Sequence, residues 1–284
     1  MLEGMNFMPP WQLELPAAQR AQGRLDLAFK SNAARTRIDR FYQEGCLKAR
    51  LPRPVDSSCE VIAMNISGGI AGGDRLGTEI ALGENAACCF TTQAAERVYR
   101  ALDANAAKVS CRLRLGAGAR LDYLPQETIL FDGFALDREL DIELGPDARF
   151  LGVESLVFGR QAMGEQVLEG KLRDRITLRR SKNLILQDVS RLQDDISAQL
   201  ARKALANGNI AMASLIYAGP GTDRLLPLLR KAMEREASIA GASAFDGIIF
   251  CRILAPSAAA LRHCVVAVLK QCLDGRGLPR SWQI

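Results

Sequence analysis

Three times between residues 80 and 150 the chain spells the same seven-residue unit: "IALGENA" ending at Ala86, "LRLGAGA" at Ala119 and "IELGPDA" at Ala148. Each is apolar-x-Leu-Gly-x-x-Ala, and its glycines, Gly83, Gly116 and Gly145, stand 33 and 29 residues apart. Ahead of Gly116, Val109, Cys111, Leu113 and Leu115 share one phase, while Lys108, Ser110, Arg112 and Arg114 share the other. That period of two marks a strand buried on one face. Gly-x-x-Ala is then the turn, with its glycine free to take positive φ. A strand unit recurring about every thirty residues restricts the fold to strands stacked in layers, as in a β-solenoid or sandwich.

Beyond residue 190 the pattern changes. "DDISAQLARKALANG" is expected to be helical as far as Gly208, and "GTDRLLPLLRKAMERE" to start a helix capped by Thr222 or Asp223, with Pro227 tolerable only near its first turn. "DGIIFCRILAP" predicts a buried strand stopped by Pro256. "SAAALRHCVVAVLKQCLDG" predicts a helix from a Ser257 cap to Gly275. The expected class is mainly β with attached α-helices (α+β): stacked β-layers, solenoid- or sandwich-like, with helices mostly in the C-terminal third. We expect one composite domain over residues 1–284, with a strand-rich body at about 20–190 and a mixed helix and strand portion at about 191–284. "LPRPVDSS", residues 51–58, is expected to be an exposed loop.

"NISGGIAGGDRL", residues 65–76, places four glycines in six positions directly before Asp74. Gly68 and Gly73 have the spacing of a phosphate-cradling loop, but Asp74 and Arg75 stand where lysine and Ser/Thr are needed, and "TEIALG" alternates like a strand instead of opening a helix. Nucleotide binding is therefore disfavoured here. A net charge of +5, with acids and bases interleaved as in "RLQDDISAQLARK", gives no basic stripe for nucleic acid. "MLEGMNFMPP" lacks the basic and apolar regions of a signal peptide, and runs such as "CVVAVL" are too short to span a bilayer, so a soluble cytoplasmic protein is expected. The eight cysteines form no C-x-x-C pair and are expected to be reduced, Cys88 and Cys89 pointing to opposite faces of one strand. His263, the only histidine, falls on the face of its helix away from Leu261, Val265, Val268 and Cys272. This leaves little room for a Ser-His-Asp or Cys-His site, or for structural zinc.

Five stretches in order, "SGGIAGGDRL", "FTTQAAERVYR" (90–100), "LPQETILFDG" (124–133), "ESLVFGRQAMGE" (154–165) and the closing "GLPRSWQI", resemble the UreD (UreH) family of urease accessory proteins, from about residue 20 to the C-terminus. Ser67 departs from the proline usual in that family, and Glu96 falls where its members vary. The resemblance implies a strand-rich scaffold and not an enzyme. It further implies that the scaffold binds the urease apoprotein, recruits UreF-like and UreG-like (GTPase) accessory proteins, and passes nickel through an internal water-filled tunnel. No permanently bound cofactor is implied, only Ni²⁺ in transit.

Transit chemistry fits the scarcity of histidine. Imidazole and thiolate would trap Ni²⁺, whereas carboxylates and water hold it loosely while compensating its charge. Acids within apolar strands are then the residues to seek. Asp74 follows the glycine turn, Glu154 sits in "FLGVESLVF" and Asp188 in "LILQDVS", and these three are the candidate nickel-path residues. Each also has a plain structural reading, as a carboxylate bound to backbone or arginine. Glu127 and Glu165 are weaker candidates, explained by arginine pairing or turn capping. Two rival readings stand beside this one: a hydrolase or transferase with Asp74 and Glu154 as an acid/base pair, and a protein-binding module with no metal role.

Overall fold

The computed structural model describes residues 19–283, apart from 33–34, 54–57, 104 and 235–237. The stretch "MLEGMNFMPP", expected to hold no signal peptide, and residues 54–57 of the 51–58 loop lie outside the described residues; Leu51 and Arg53, within them, are exposed. The chain opens with β1 (Gln22–Asn32), β2 (Arg35–Gly45), β3 (Leu47–Arg50) and β4 (Cys59–Asn65). It continues through β5 (Arg75–Leu82), β6 (Ala87–Thr92), β7 (Glu96–Val98), β8 (Ala107–Leu115), β9 (Arg120–Leu124), β10 (Thr128–Leu130), β11 (Phe134–Leu144), β12 (Arg149–Phe158), β13 (Glu169–Arg180) and β14 (Asn183–Asp195). Then follow α1 (Ile196–Ala201), β15 (Ala211–Ala218), α2 (Thr222–Met233), β16 (Ile239–Phe245), β17 (Ile248–Ala255) and α3 (Ala258–Cys272).

Successive strands alternate between two sheets. One runs β14-β13-β11-β8-β5-β1-β2, the other β16-β17-β15-β12-β9-β6-β4-β3, with β7 and β10 paired beside β12. From β1 to β13 in the first sheet, and from β4 to β12 in the second, neighbours are parallel. Antiparallel strands close both runs: β2 on β1 and β14 on β13, β3 on β4 and β15 on β12. This is the stacked, solenoid-like β-architecture expected from the repeat.

The repeat spacing is the register of the stack. Leu82 lies beside Leu115, and Leu115 beside Leu144, at the same offsets as the glycines. The Gly116 amide donates to the Leu82 carbonyl at 2.8 Å and the Gly145 amide to that of Leu115 at 2.7 Å, so each turn hangs on the coil before it. The role expected of the glycines is corrected here. Positive φ falls two residues later, at Asn85 (56°), Gly118 (63°) and Asp147 (54°), as in a type II turn. Glycine is needed at the first position for close approach: a Cβ on Gly145 would lie 2.9 Å from the Leu115 carbonyl oxygen and 3.0 Å from the Ala117 amide nitrogen. The closing alanines, Ala86, Ala119 and Ala148, are buried in the core between the sheets.

Three helical expectations shift. α1 ends at Ala201, because Arg202 swings to extended backbone and closes the last turn on the Gln199 carbonyl; the expected continuation to Gly208 is a run of turns. α2 is preceded by Gly221 in the left-handed region with no side-chain cap, and Pro227 lies inside it at the sixth residue. The expected end of that helix at Arg235 and Glu236 lies outside the described residues. α3 agrees with the sequence: the Ser257 hydroxyl accepts from the Ala260 amide, and Cys264 and Cys272 are buried. His263 is exposed. All eight cysteines are free thiols, with Cys88 facing the space between the sheets and Cys89 the opposite side. Among the described residues no helix is long and apolar enough to cross a membrane.

What positions the site is the covering of the second sheet. One face of β12 joins Phe150, Leu156 and Phe158 to the core between the sheets, and the other packs Leu151, Val153 and Val157 under the C-terminal helices. Strands covered on both faces become continuous apolar runs, which is why Glu154 stands out in the sequence.

Candidate functional site

The alternation of β12 turns Glu154 toward the space between the sheets. That of β11 turns Arg138 inward between Leu136 and Leu140, and that of β13 turns Asp174 inward between Leu172 and Ile176. Arg138 and Asp174 are direct register partners. The guanidinium forks onto Asp174, Nε donating to Oδ1 at 2.9 Å and Nη2 to Oδ2 at 2.7 Å. Its remaining arm, Nη1, lies 2.7 Å from Glu154 Oε2 and also donates to Thr128 Oγ1 at 3.2 Å. The other Glu154 oxygen, Oε1, accepts from the Tyr123 hydroxyl at 3.1 Å. All three charged groups are buried.

Beside this cluster lies a cavity of about 320 Å³. Glu154, Arg138, Tyr123 and Cys111 line it, as do Gln93, Ala94, Ala95 and Glu96, Gly68 of the glycine turn, and Pro125, Gln126 and Thr128. Four of the five stretches that carry the family resemblance therefore meet on one wall-set. The fifth, at the C-terminus, secures it from outside: Trp282 Nε1 donates to the Leu124 carbonyl at 2.9 Å, and Gln126 Nε2 donates to the Ser281 carbonyl at 3.0 Å.

Burial pushes the Glu154 carboxyl above the usual range, against the pull of Arg138. Glu96 is likewise raised by burial; Asn65 Nδ2 at 3.4 Å and the Arg97 amide at 3.2 Å only partly offset it. Burial pushes the Cys111 thiol up to about 12 and raises the Tyr123 phenol well above its usual value. At neutral pH the cavity thus presents a protonated thiol and a neutral phenol, beside the carboxyl groups of Glu154 and Glu96 and the guanidinium groups of Arg138 and Arg97. Arg138 keeps its proton: burial disfavours the charge, but Asp174 and then Glu154 more than compensate.

The sequence-predicted acids separate in space. Asp74 is buried, but its oxygens are committed to backbone, Oδ1 accepting from the Ala21 amide and Oδ2 from the Ala71 amide, both at 2.8 Å. It does not line the cavity. Asp188 lies on edge strand β14 and takes Arg252 Nη2 on both oxygens, at 2.6 and 2.7 Å, tying β14 to β17. Glu127 sits 3.6 Å from Arg262, and Glu165 accepts from Arg160 Nε at 2.8 Å and from the Arg160 amide at 3.0 Å, the pairing and capping expected of them. Of the three candidates, then, only Glu154 reaches the cavity. Arg138, Asp174 and Glu96 were missed. A signal for the first two was present: a single charge in the apolar phase of an alternating strand, "LDRELDI" for Arg138 and "LRDRITL" for Asp174. Among the described residues no three His, Cys, Asp or Glu side chains are placed to share one metal ion.

The family model described as UreD urease accessory protein matches residues 21–283. A urease accessory protein UreD of Rhizobium leguminosarum bv. viciae is 43% identical over 266 residues, covering 94% of this chain and 96% of its own length. That of Sinorhizobium medicae is 41% identical over 273 residues, covering 94% and 98%. That of Methylobacterium sp. strain 4-46 is 41% identical over 281 residues, covering 97% and 98%.

Proposed function

The chain belongs to the UreD family of urease accessory proteins, and on that premise we propose that it serves urease maturation as a non-catalytic scaffold. In this reading it holds the urease apoprotein, recruits UreF-like and UreG-like accessory proteins, and gives Ni²⁺ an internal path past Glu154. The observation that carries the reading is the cavity: a space between the sheets, walled by the family-like stretches, opening to the surface past Gly68, Gln93 and Ala94, and bearing carboxyl groups at Glu154 and Glu96. A dication in such a space needs compensating charge, and isolated carboxylates with water supply it without holding the ion tightly. Asp74 and Asp188 keep the structural roles their partners give them. The acid/base rival loses its pair, because Asp74 does not line the space that Glu154 faces.

The test is urease expressed with the remaining accessory proteins and wild-type, Glu154→Ala or no UreD-family chain, at limiting nickel. Pull-down of the assembly and nickel per active site are measured together. Glu154→Ala should preserve assembly and lower nickel loading. Full loading would take Glu154 off the path, and assembly lost in step with nickel would make the acid structural. Turnover of a small substrate by the purified chain alone would favour the enzyme reading.

A further inference from the structure

We propose that Arg138 is a positioning residue that keeps the cavity from trapping its cation: clamped by Asp174, it lends one arm to Glu154 and withdraws that arm when a divalent ion takes its place. The inference rests on the reading of the cavity as a nickel path. An arginine in the inward row of β11 is costly unless paired, and Asp174 supplies the pairing through a two-bond fork of the strongest kind. The place of the guanidinium is therefore set by Asp174 and not by Glu154. Nη1 also has a second acceptor in Thr128. With Glu154 turned to another ligand, every nitrogen of Arg138 would keep a partner, so this is the contact the cluster can release.

The consequence for a cation follows from charge. With both carboxylates ionised, Glu154, Asp174 and Arg138 sum to one negative charge. A dication approaching Glu154 meets an oxygen already shared with a guanidinium, whose charge repels it. Without that guanidinium, two carboxylates would face one vacated space, an arrangement that holds a hard or borderline dication well. Arg138 thereby separates a site that conducts from one that stores.

Nickel chloride alone, in equilibrium dialysis against the full chain, tests this with Arg138→Gln, Arg138→Lys, Asp174→Asn and the double variant Arg138→Gln/Glu154→Gln. Arg138→Gln should bind Ni²⁺ about tenfold more tightly than wild type, as expected when one nearby like charge is removed from a part-buried site. Arg138→Lys should return close to the wild-type affinity, and the double variant should lose the gain. Asp174→Asn frees the fork to turn on Glu154 and should weaken binding. In the maturation assay at limiting nickel, Arg138→Gln should retain metal and load urease more slowly. A purely structural arginine would not raise affinity when removed. Folded Arg138→Gln, checked by circular dichroism, with wild-type affinity overturns the inference. Where that variant does not fold, unchanged affinity in Asp174→Asn overturns it instead. Tighter binding in Arg138→Gln beside full urease loading by a chain with Glu154→Gln would leave the Arg138 role standing and take the cavity off the delivery route. The reverse pattern would keep the route and remove the role.

Discussion

Asp74 and Glu154 are matched in type and in burial, at 4% and 8% exposed, yet they are held in opposite ways. Asp74 is a clamp made of backbone. Its carboxylate takes the amides of Ala21 and Ala71, its own amide donates to the Ala71 carbonyl, and its carbonyl accepts from the Lys108 amide. Glu154 meets side chains only, a phenol on one oxygen and one arm of an arginine on the other. The difference teaches what burial alone does not: a carboxylate bound by amides is fixed by the path of the chain, whereas one bound by side chains can change partners while the backbone stays where it is. The glycines around Asp74 serve the first arrangement. Gly68, Gly69 and Gly73 have positive φ, and a Cβ on Gly72 would lie 2.7 Å from the Asn105 carbonyl oxygen, so the loop coils tightly enough to present its amides.

The largest expected effect breaks the clamp. Asp74→Ala strands two amides that bonded a charged acceptor, at ~1.5–3 kcal/mol for each bond, and should cost roughly 3–5 kcal/mol in urea denaturation. A variant that melts like wild type would show that the turn stands without its acid. Next is Gly72→Val, where an overpacked site typically loses about 1–3 kcal/mol; unchanged thermal unfolding would refute the close approach to Ala101 and Asn105. Glu154→Gln should fall below both, within ~1 kcal/mol of wild type, because the Gln carbonyl can still accept from Arg138 while its amide donates to the Tyr123 hydroxyl, which can accept as well as donate. A loss as large as that of Asp74→Ala would erase the contrast between the two acids.

The smallest effect is in pH. Since the folded protein raises the Glu154 carboxyl, chiefly by burial, ionising it opposes folding. Its contribution is fully present below the unfolded carboxylate value and is lost as pH rises through the raised one. Glu165 has the opposite sign. Arg160 hydrogen-bonds its carboxylate and lowers it, so its stabilisation is present above the unfolded value and lost as pH falls through the lowered one. Thermal unfolding across the acid range should therefore show Glu165→Gln approaching wild type in acid, and Glu154→Gln gaining on wild type toward neutrality. Parallel curves would mean that neither environment differs between the folded and unfolded chain.

How legible all this was in the sequence depended on which period carried it. The stacking was plain, because the 33- and 29-residue offsets of Gly83, Gly116 and Gly145 are the offsets of the strands themselves. Glu154 was visible because β12 is covered on both faces and tolerates no other charge nearby. Arg138 and Asp174 were hidden because β11 and β13 carry a full complement of outward charges: Asp137, Glu139 and Asp141 pair with Arg173, Arg175 and Arg179 in a ladder on the open face, and one inward charge is lost among them. Only the phase distinguishes it. The local turn chemistry was misplaced by two residues, since a glycine excused by backbone crowding and one excused by positive φ look alike in a string of letters. Asp188 appeared to stand in an apolar run, but β14 is an edge strand whose Leu184 and Val189 are exposed, so apolar letters there did not mean an interior.

Both parallel runs of the stack end in antiparallel strands, β2 and β14 in one sheet and β3 and β15 in the other. A parallel coil extends by offering the next coil the same slanted pattern of donors and acceptors; reversing a strand withdraws that offer. On β2 the charged pairs Lys30–Asp39 and Arg40–Asp26 further blunt the rim. The parallel stack thus has a fixed number of steps, and the distance its interior can span is written into the chain as a constant.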